Sequence, residues 1–165
     1  YSSGGANSYW NLLLYLVEKY TNRETAILAS KYFAIDIDRD SQAAFAMFKG
    51  QKDHGDKEVR KAQEYIEKNI HERITIDELA DKMAVSRRTF ERRFKQATNN
   101  SVLEYIQRVK IEAAKRSFES SRKNINEVMF DVGYTDTKAF RTIFKRITGL
   151  TPIEYRNKYN KRAIG

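Results

Sequence analysis

The feature that most constrains this chain is an internal repeat. Ile76, Glu78, Leu79 and Met83 recur 49 residues later as Ile125, Glu127, Val128 and Val132. After a one-residue insertion the offset becomes 50, and Phe90, Phe94, Thr98, Ser101, Glu104 and Tyr105 answer to Phe140, Phe144, Thr148, Thr151, Glu154 and Tyr155. Self-similarity of this kind marks one supersecondary unit built twice. Each copy reads as a helix, a short turn (Ala84-Val-Ser86; Gly133-Tyr-Thr135), then a second helix with two inward Phe residues four apart. A turn of three or four residues sets two helices at a steep angle, the geometry of a helix-turn-helix.

Helix-start signals make the assignment all-α. Asp56 precedes an amphipathic helix spaced by Val59, Ala62, Tyr65/Ile66 and Ile70. Thr75-x-x-Glu78 is a capping box opening Ile76–Met83, in which hydroxyl and carboxylate satisfy orphan backbone donors. Ser86 caps the helix of Phe90 and Phe94. Ser101-x-x-Glu104 predicts another box and a long helix to about Ser120, striped by Val102, Ile106, Val109 and Ala113 and by Ile111, Ala114 and Phe118. Asn124-x-x-Glu127 opens the next helix, and Asp136 or Thr135 the one after. Thr151-Pro-Ile-Glu154 opens the last, with Pro at its first position. A single Pro and 7 Gly leave little punctuation for many short strands.

Apolar stripes alone fit a duplicated hairpin that merely packs, so the outward face of each second helix carries the functional reading. In the first copy it bears Arg87, Arg88, Glu91, Arg92 and Lys95; in the second, Thr137, Lys138, Arg141, Thr142 and Lys145. Arg grips guanine bidentately in the major groove, Glu accepts from cytosine, and Lys neutralises phosphate. The formal charge supports this once it is divided. The chain carries net +9, but residues 1–56 hold 6 basic and 7 acidic groups while 57–165 hold 25 and 15. The whole excess therefore lies on the repeated segment, which points to a polyanionic partner.

The first fifty residues have a different character. Trp10, Leu13, Leu14 and Val17 predict a helix over 7–20, and Ala26, Ala29 and Phe33 one over 23–34. An apolar run, Ala43–Phe48, follows, and a Gly-rich lead-in, Ser2-Ser-Gly-Gly-Ala-Asn, precedes them. These elements are too few to close a core, so 1–50 reads as the tail of a larger domain, with 51–56 as a polar linker and 57–165 as the second domain. Cys is absent, which excludes disulfides, thiolate metal sites and a cysteine nucleophile in this chain. His54 lies in the linker and His71 near a helix end, where surface residues are the ordinary case. No cofactor or metal is expected. No apolar run approaches the length of a membrane span and no signal peptide opens the chain, so it reads as soluble and cytoplasmic.

The repeated segment resembles the DNA-binding domain of the AraC/XylS family of bacterial transcription regulators over about 57–160. The signature is Asp131-Val-Gly-Tyr-Thr-Asp-Thr-Lys-Ala-Phe-Arg-Thr-Ile-Phe-Lys-Arg-Ile-Thr-Gly-Leu-Thr-Pro-Ile-Glu-Tyr-Arg156. Ala84 departs from it, standing where the family often has Gly in the first turn; Ala is tolerable there if that residue stays out of the left-handed region. Residues 1–50 resemble the C-terminal end of a ThiJ/PfpI-type, amidotransferase-like domain through Gly4-Gly5-Ala-Asn-Ser8, Leu12–Val17 and Ala29-Ser-Lys-Tyr. The resemblances imply two helix-turn-helix subdomains joined by a long helix, preceded by a short, mostly helical remnant of an α/β domain.

They also imply promoter DNA and RNA polymerase as partners. Base contacts are expected from Arg88, Glu91 and Arg92, and from Thr137, Lys138, Arg141 and Thr142. Arg87, Lys95, Lys145 and the capped helix starts are expected at phosphate, with Ser86 at the first interface too. Two rivals stand beside this reading. An enzyme fails for want of a nucleophile constellation, and an architectural, nonspecific nucleic-acid binder fits the charge but not the mixed Arg/Glu/Thr faces.

Overall fold

A computed structural model describes residues 13, 15–22, 25 and 51–160. The chain separates into two compact units between His54 and Gly55. In the first, residues 15–20 are helical, and Asn22 Oδ1 accepts from the Thr25 amide at 2.8 Å. The Gly-rich lead-in, most of the helix expected over 23–34 and the run Ala43–Phe48 lie outside the described residues.

Among the described residues the second unit is all helix and turn. Its helices are α1 (Lys57–Lys68), α2 (Ile76–Lys82), α3 (Arg87–Thr98), α4 (Val102–Ser120), α5 (Ile125–Asp131), α6 (Thr137–Thr148) and α7 (Pro152–Tyr159). The starts follow the sequence signals. Thr75, Asn124 and Thr151 each form a complete capping box with the Glu three residues on. Asp56, Ser86 and Asp136 cap α1, α3 and α6 through their side-chain oxygens. Two expectations need correction. Ile70 falls beyond α1, because the Asn69 side chain turns back onto the Tyr65 carbonyl at 2.8 Å and closes the helix. Ser101 caps α4, but Glu104 does not return the bond: its carboxylate takes Arg146 Nη1 at 2.9 Å instead.

The repeat extends from residues to packing. Phe94 meets Tyr105 edge-on, centroids 5.3 Å apart, and Phe144 meets Tyr155 in the same way at 5.5 Å. Thr98 and Thr148 each donate to the carbonyl four residues back, both at 2.8 Å. Tyr105 donates its hydroxyl to Glu67 on α1, while Tyr155 donates to Glu119 on α4. The C-terminal half of α4 thus does for the second copy what α1 does for the first. Its N-terminal half supplies buried Val102, Tyr105, Ile106 and Val109. Its C-terminal half joins Ile111, Ala114 and Phe118 to a core with Val128, Met129, Phe140, Phe144, Ile147 and Tyr155.

Both turns end their first helix in the same hydrogen-bond pattern. Val85 N donates to Ala80 O and Ala84 N to Asp81 O; Tyr134 N donates to Met129 O and Gly133 N to Phe130 O. This 6→1, 5→2 pair needs a left-handed residue. Ala84 enters the left-handed region, at φ 54°, so the condition set for it from sequence is not met; Gly133 sits there at 78°. A side chain is tolerated at Ala84 because that residue is exposed. At Gly133 a Cβ would stand 2.9 Å from the Ile70 and His71 carbonyl oxygens.

Ala84→Gly should stabilise the domain by about 1 kcal/mol, the cost of a left-handed non-glycine residue. Gly133→Ala should cost about 2–3 kcal/mol, since strain and backbone collision act together. Urea unfolding of both variants checks the pair, and equal effects would refute the difference between the turns. A second expectation concerns Asp56, whose carboxylate also receives Arg93 Nη2 at 2.7 Å and Nε at 2.9 Å. Arg93 holds the Asp56 carboxyl below its ordinary value of 3.8. The folded state therefore binds that proton more weakly than the unfolded chain. The resulting stability is full above the unfolded value and is lost as pH falls through the lowered one. Asp56→Asn keeps a capping side chain and removes the ion pair. It should cost about 1 kcal/mol at pH 7 and close to nothing near pH 2. A pH-independent difference in urea unfolding would show that the charge is not what matters.

Candidate nucleic-acid interface

The second helix of each copy, α3 or α6, is held from behind by its two phenylalanines and turned outward by its cap. Phe90, Phe94, Phe140 and Phe144 are all buried. A helix repeats every 3.6 residues, so burying positions four apart leaves the opposite positions to solvent. Arg88, Arg92 and Lys95 are exposed on α3, as are Lys138, Arg141, Thr142 and Lys145 on α6. The repeat offset of 50 pairs Arg88 with Lys138, Arg92 with Thr142, and Lys95 with Lys145. Two groups of the expected set, Glu91 and Thr137, are half-buried.

The two faces are not electrostatically equal. Arg87 donates to Asp77 at 3.0 Å and lies 3.7 Å from Glu91, so this cation is flanked by two carboxylates. The counterparts of Asp77 and Glu91 in the second copy are Asn126 and Arg141. The face of α6 thus carries Lys138, Arg141 and Lys145 with no acid of its own. Arg88, Arg92, Lys138 and Arg141 enter no ion pair among the described residues. A guanidinium or ammonium left free in this way keeps its donors for an incoming acceptor.

Other members of the expected set have structural duties. The Ser86 hydroxyl accepts from the Thr89 amide at 3.2 Å and donates to Thr89 Oγ1 at 2.9 Å. Lys95 Nζ donates to the Asn99 carbonyl at 3.1 Å, closing the C-terminus of α3. Lys145 acts on Glu154 in the first turn of α7, where Thr151 and this cation hold the carboxyl below its usual value. Helix starts carry unpaired amides and a positive dipole end, suited to phosphate.

Sequence reading passed over Arg93, on α3 but turned inward to Asp56. The signal was available: Arg93 stands three residues after Phe90 and one before Phe94, on the buried side. Its counterpart, Ile143, packs against the second core. Reading also passed over Arg146 and Lys110, whose partners are 39 or more and 22 or more residues away, respectively, in sequence. No metal-ligating cluster of His, Cys, Asp or Glu occurs among the described residues. No described helix is long and apolar enough to cross a membrane.

Known proteins share this arrangement. Residues 79–158 match the family model described as a helix-turn-helix domain. The chain is 38% identical over 93 residues to the bifunctional transcriptional activator/DNA repair enzyme AdaA of Bacillus subtilis, covering 56% of this chain and 44% of that protein. It is 38% identical over 82 residues to a putative AraC-like transcription regulator of Streptomyces lividans, covering 50% of this chain and 27% of the relative. It therefore spans less than half the length of either. Among solved structures, the DNA-binding domain of AdpA, a global transcriptional factor, in complex with a target DNA is similar at a TM-score of 0.60 and 30% identity. That match covers 63% of this chain and 94% of the other. The repeat, the outward basic faces and these likenesses identify the second unit as an AraC-type helix-turn-helix DNA-binding domain.

Proposed function

We propose that one chain reads two successive major grooves in a sequence-specific manner, through α3 and α6. The observation that carries this reading is one architecture built twice on a 19-residue helix, with outward cationic and hydroxyl side chains at matching positions. At about 1.5 Å per residue α4 is roughly 28 Å long, comparable to the ~34 Å between successive major grooves on one face of DNA. Arg88, Glu91 and Arg92 contact bases in one groove, and Thr137, Lys138, Arg141 and Thr142 in the next. Arg87, Lys95, Lys145 and the helix starts contact phosphate, and Ser86 presents the start of α3.

Glu91 on the first face, against Arg141 at the matching position of the second, favours a division of labour. The second unit supplies the greater attraction to the backbone, and the first discriminates more strongly, since Glu91 repels bases and phosphates that offer it no donor. The chain acts as a regulator and not as an enzyme, at promoter DNA in the bacterial cytoplasm, in contact with RNA polymerase. Residues 1–50 are the end of a ThiJ/PfpI-type sensor domain joined by the linker 51–56. A nucleophile-elbow pattern upstream of Tyr1 in the parent gene is expected, and a different domain there would overturn that part.

Selection of bound DNA from a random library at physiological salt tests the main reading. Two enriched blocks one helical turn apart are expected; absence of enrichment would favour an architectural binder. On the selected site, Arg92→Ala should cost about 1–3 kcal/mol and relax preference at one base pair. Equal losses on random DNA would reassign Arg92 to the backbone. Lys145→Ala should weaken all sequences alike and reduce the salt slope by about one unit. An unchanged slope removes Lys145 from the footprint.

A further inference from the structure

Two cations that face no DNA in this reading join one repeat to the other. Lys110, on α4, is only 5% exposed. Its ammonium donates to the Ile70 carbonyl at 2.5 Å and the Glu72 carbonyl at 2.8 Å, both in the segment after α1. It also donates to the Val132 carbonyl at 3.0 Å, at the end of α5. An ammonium has three donors, and here two hold the first helix-turn-helix unit while one holds the second. Burial pushes the Lys110 pKa down to about 8, so keeping a cation here carries a desolvation cost. Gly133 permits the arrangement: a Cβ there would stand 2.5 Å from Lys110 Nζ and against the Ile70 and His71 carbonyls.

Arg146, on α6, makes the other tie. Its Nη1 donates to Glu104 at 2.9 Å and its Nη2 to Gln107 at 2.5 Å, both in the first half of α4. The repeat symmetry breaks at this place. Glu154 spends its carboxylate on the Thr151 amide, whereas Glu104 gives up that bond to take Arg146. The counterpart of Arg146 in the first copy is Gln96. Tyr134 fills the space between the ties: Lys110 Nζ lies 5.9 Å from its ring, and its phenol, pushed up to about 12 by burial, feels both Arg146 and Glu104.

Each unit packs its core on its own half of α4, and the two ties cross from one copy to the other. We propose that Lys110 and Arg146 are positioning residues that set the spacing and phase of the two DNA half-sites, without touching DNA themselves. This rests on the two-groove reading above.

The test uses the whole chain and the selected site, rebuilt with the two blocks moved apart or together by one and two base pairs. The wild type should lose at least about tenfold in affinity at two base pairs from the optimum. Arg146→Met should flatten that preference to about threefold or less, with its affinity for either half-site alone unchanged. Arg146→Lys, which keeps the bond to Glu104, should restore most of it. Lys110→Met should act in the same direction, with thermal unfolding followed by circular dichroism to confirm that it is folded. Because Arg146 is largely at the surface, its variants decide the matter even if Lys110→Met unfolds. An undiminished spacing preference in Arg146→Met overturns the proposal. A wild type indifferent to spacing overturns the two-groove reading and the proposal with it.

Discussion

The placement of α3 and α6 depends on one contact made twice: a phenylalanine edge against a tyrosine whose hydroxyl reaches a carboxylate on the preceding long element. Phe94 with Tyr105 and Glu67, and Phe144 with Tyr155 and Glu119, fix the rear of α3 and α6 to the helix that follows and the helix that leads. An edge-to-face pair adds direction to the area it buries, and a buried hydroxyl with a partner avoids a desolvation loss. The outward side chains inherit their aim from this contact. Without it, the cations of α3 and α6 would be a basic surface with no fixed pattern.

Duplication with divergence explains the electrostatics. The frame has been kept residue for residue in Phe90, Phe94, Thr98 and Tyr105 and their counterparts, while the faces have changed sign locally. Glu91 answers to Arg141, and Asp77 to Asn126. The inward position has changed as well, from the Arg93–Asp56 ion pair to the apolar Ile143. An anchored guanidinium and a half-buried isoleucine hold a helix by different means, one directional and pH-dependent, the other set by area alone.

Much of this was legible in the sequence because the signals are local. A cap and its Glu lie three residues apart, paired Phe residues four apart, and the two copies share one offset. The helix order and the outward faces followed from these. What escaped was non-local or conformational. Nothing in the sequence near Lys110 announces three carbonyls from two distant segments, and Glu104 looks like half of a capping box until Arg146 is seen to claim it. The conformation of Ala84 was left open by the sequence, and the hydrogen-bond pattern of the turn decides it against the preference of a residue with a Cβ. Arg93 was missed although its phase with Phe90 and Phe94 would have placed it inside.

The double duty of α4 bears on how far this domain can be divided. It is the following helix of the first unit and the leading helix of the second, carrying Tyr105 for one and Glu119 for the other. No boundary along it leaves two whole halves: a break before Ile111 strips the second core of its α4 side chains, and a break before Tyr105 opens the first. The second unit has two outward helix faces but only one indivisible fold. New arrangements must therefore arise by altering the faces and the ties, and cannot arise by shuffling the copies as separate pieces.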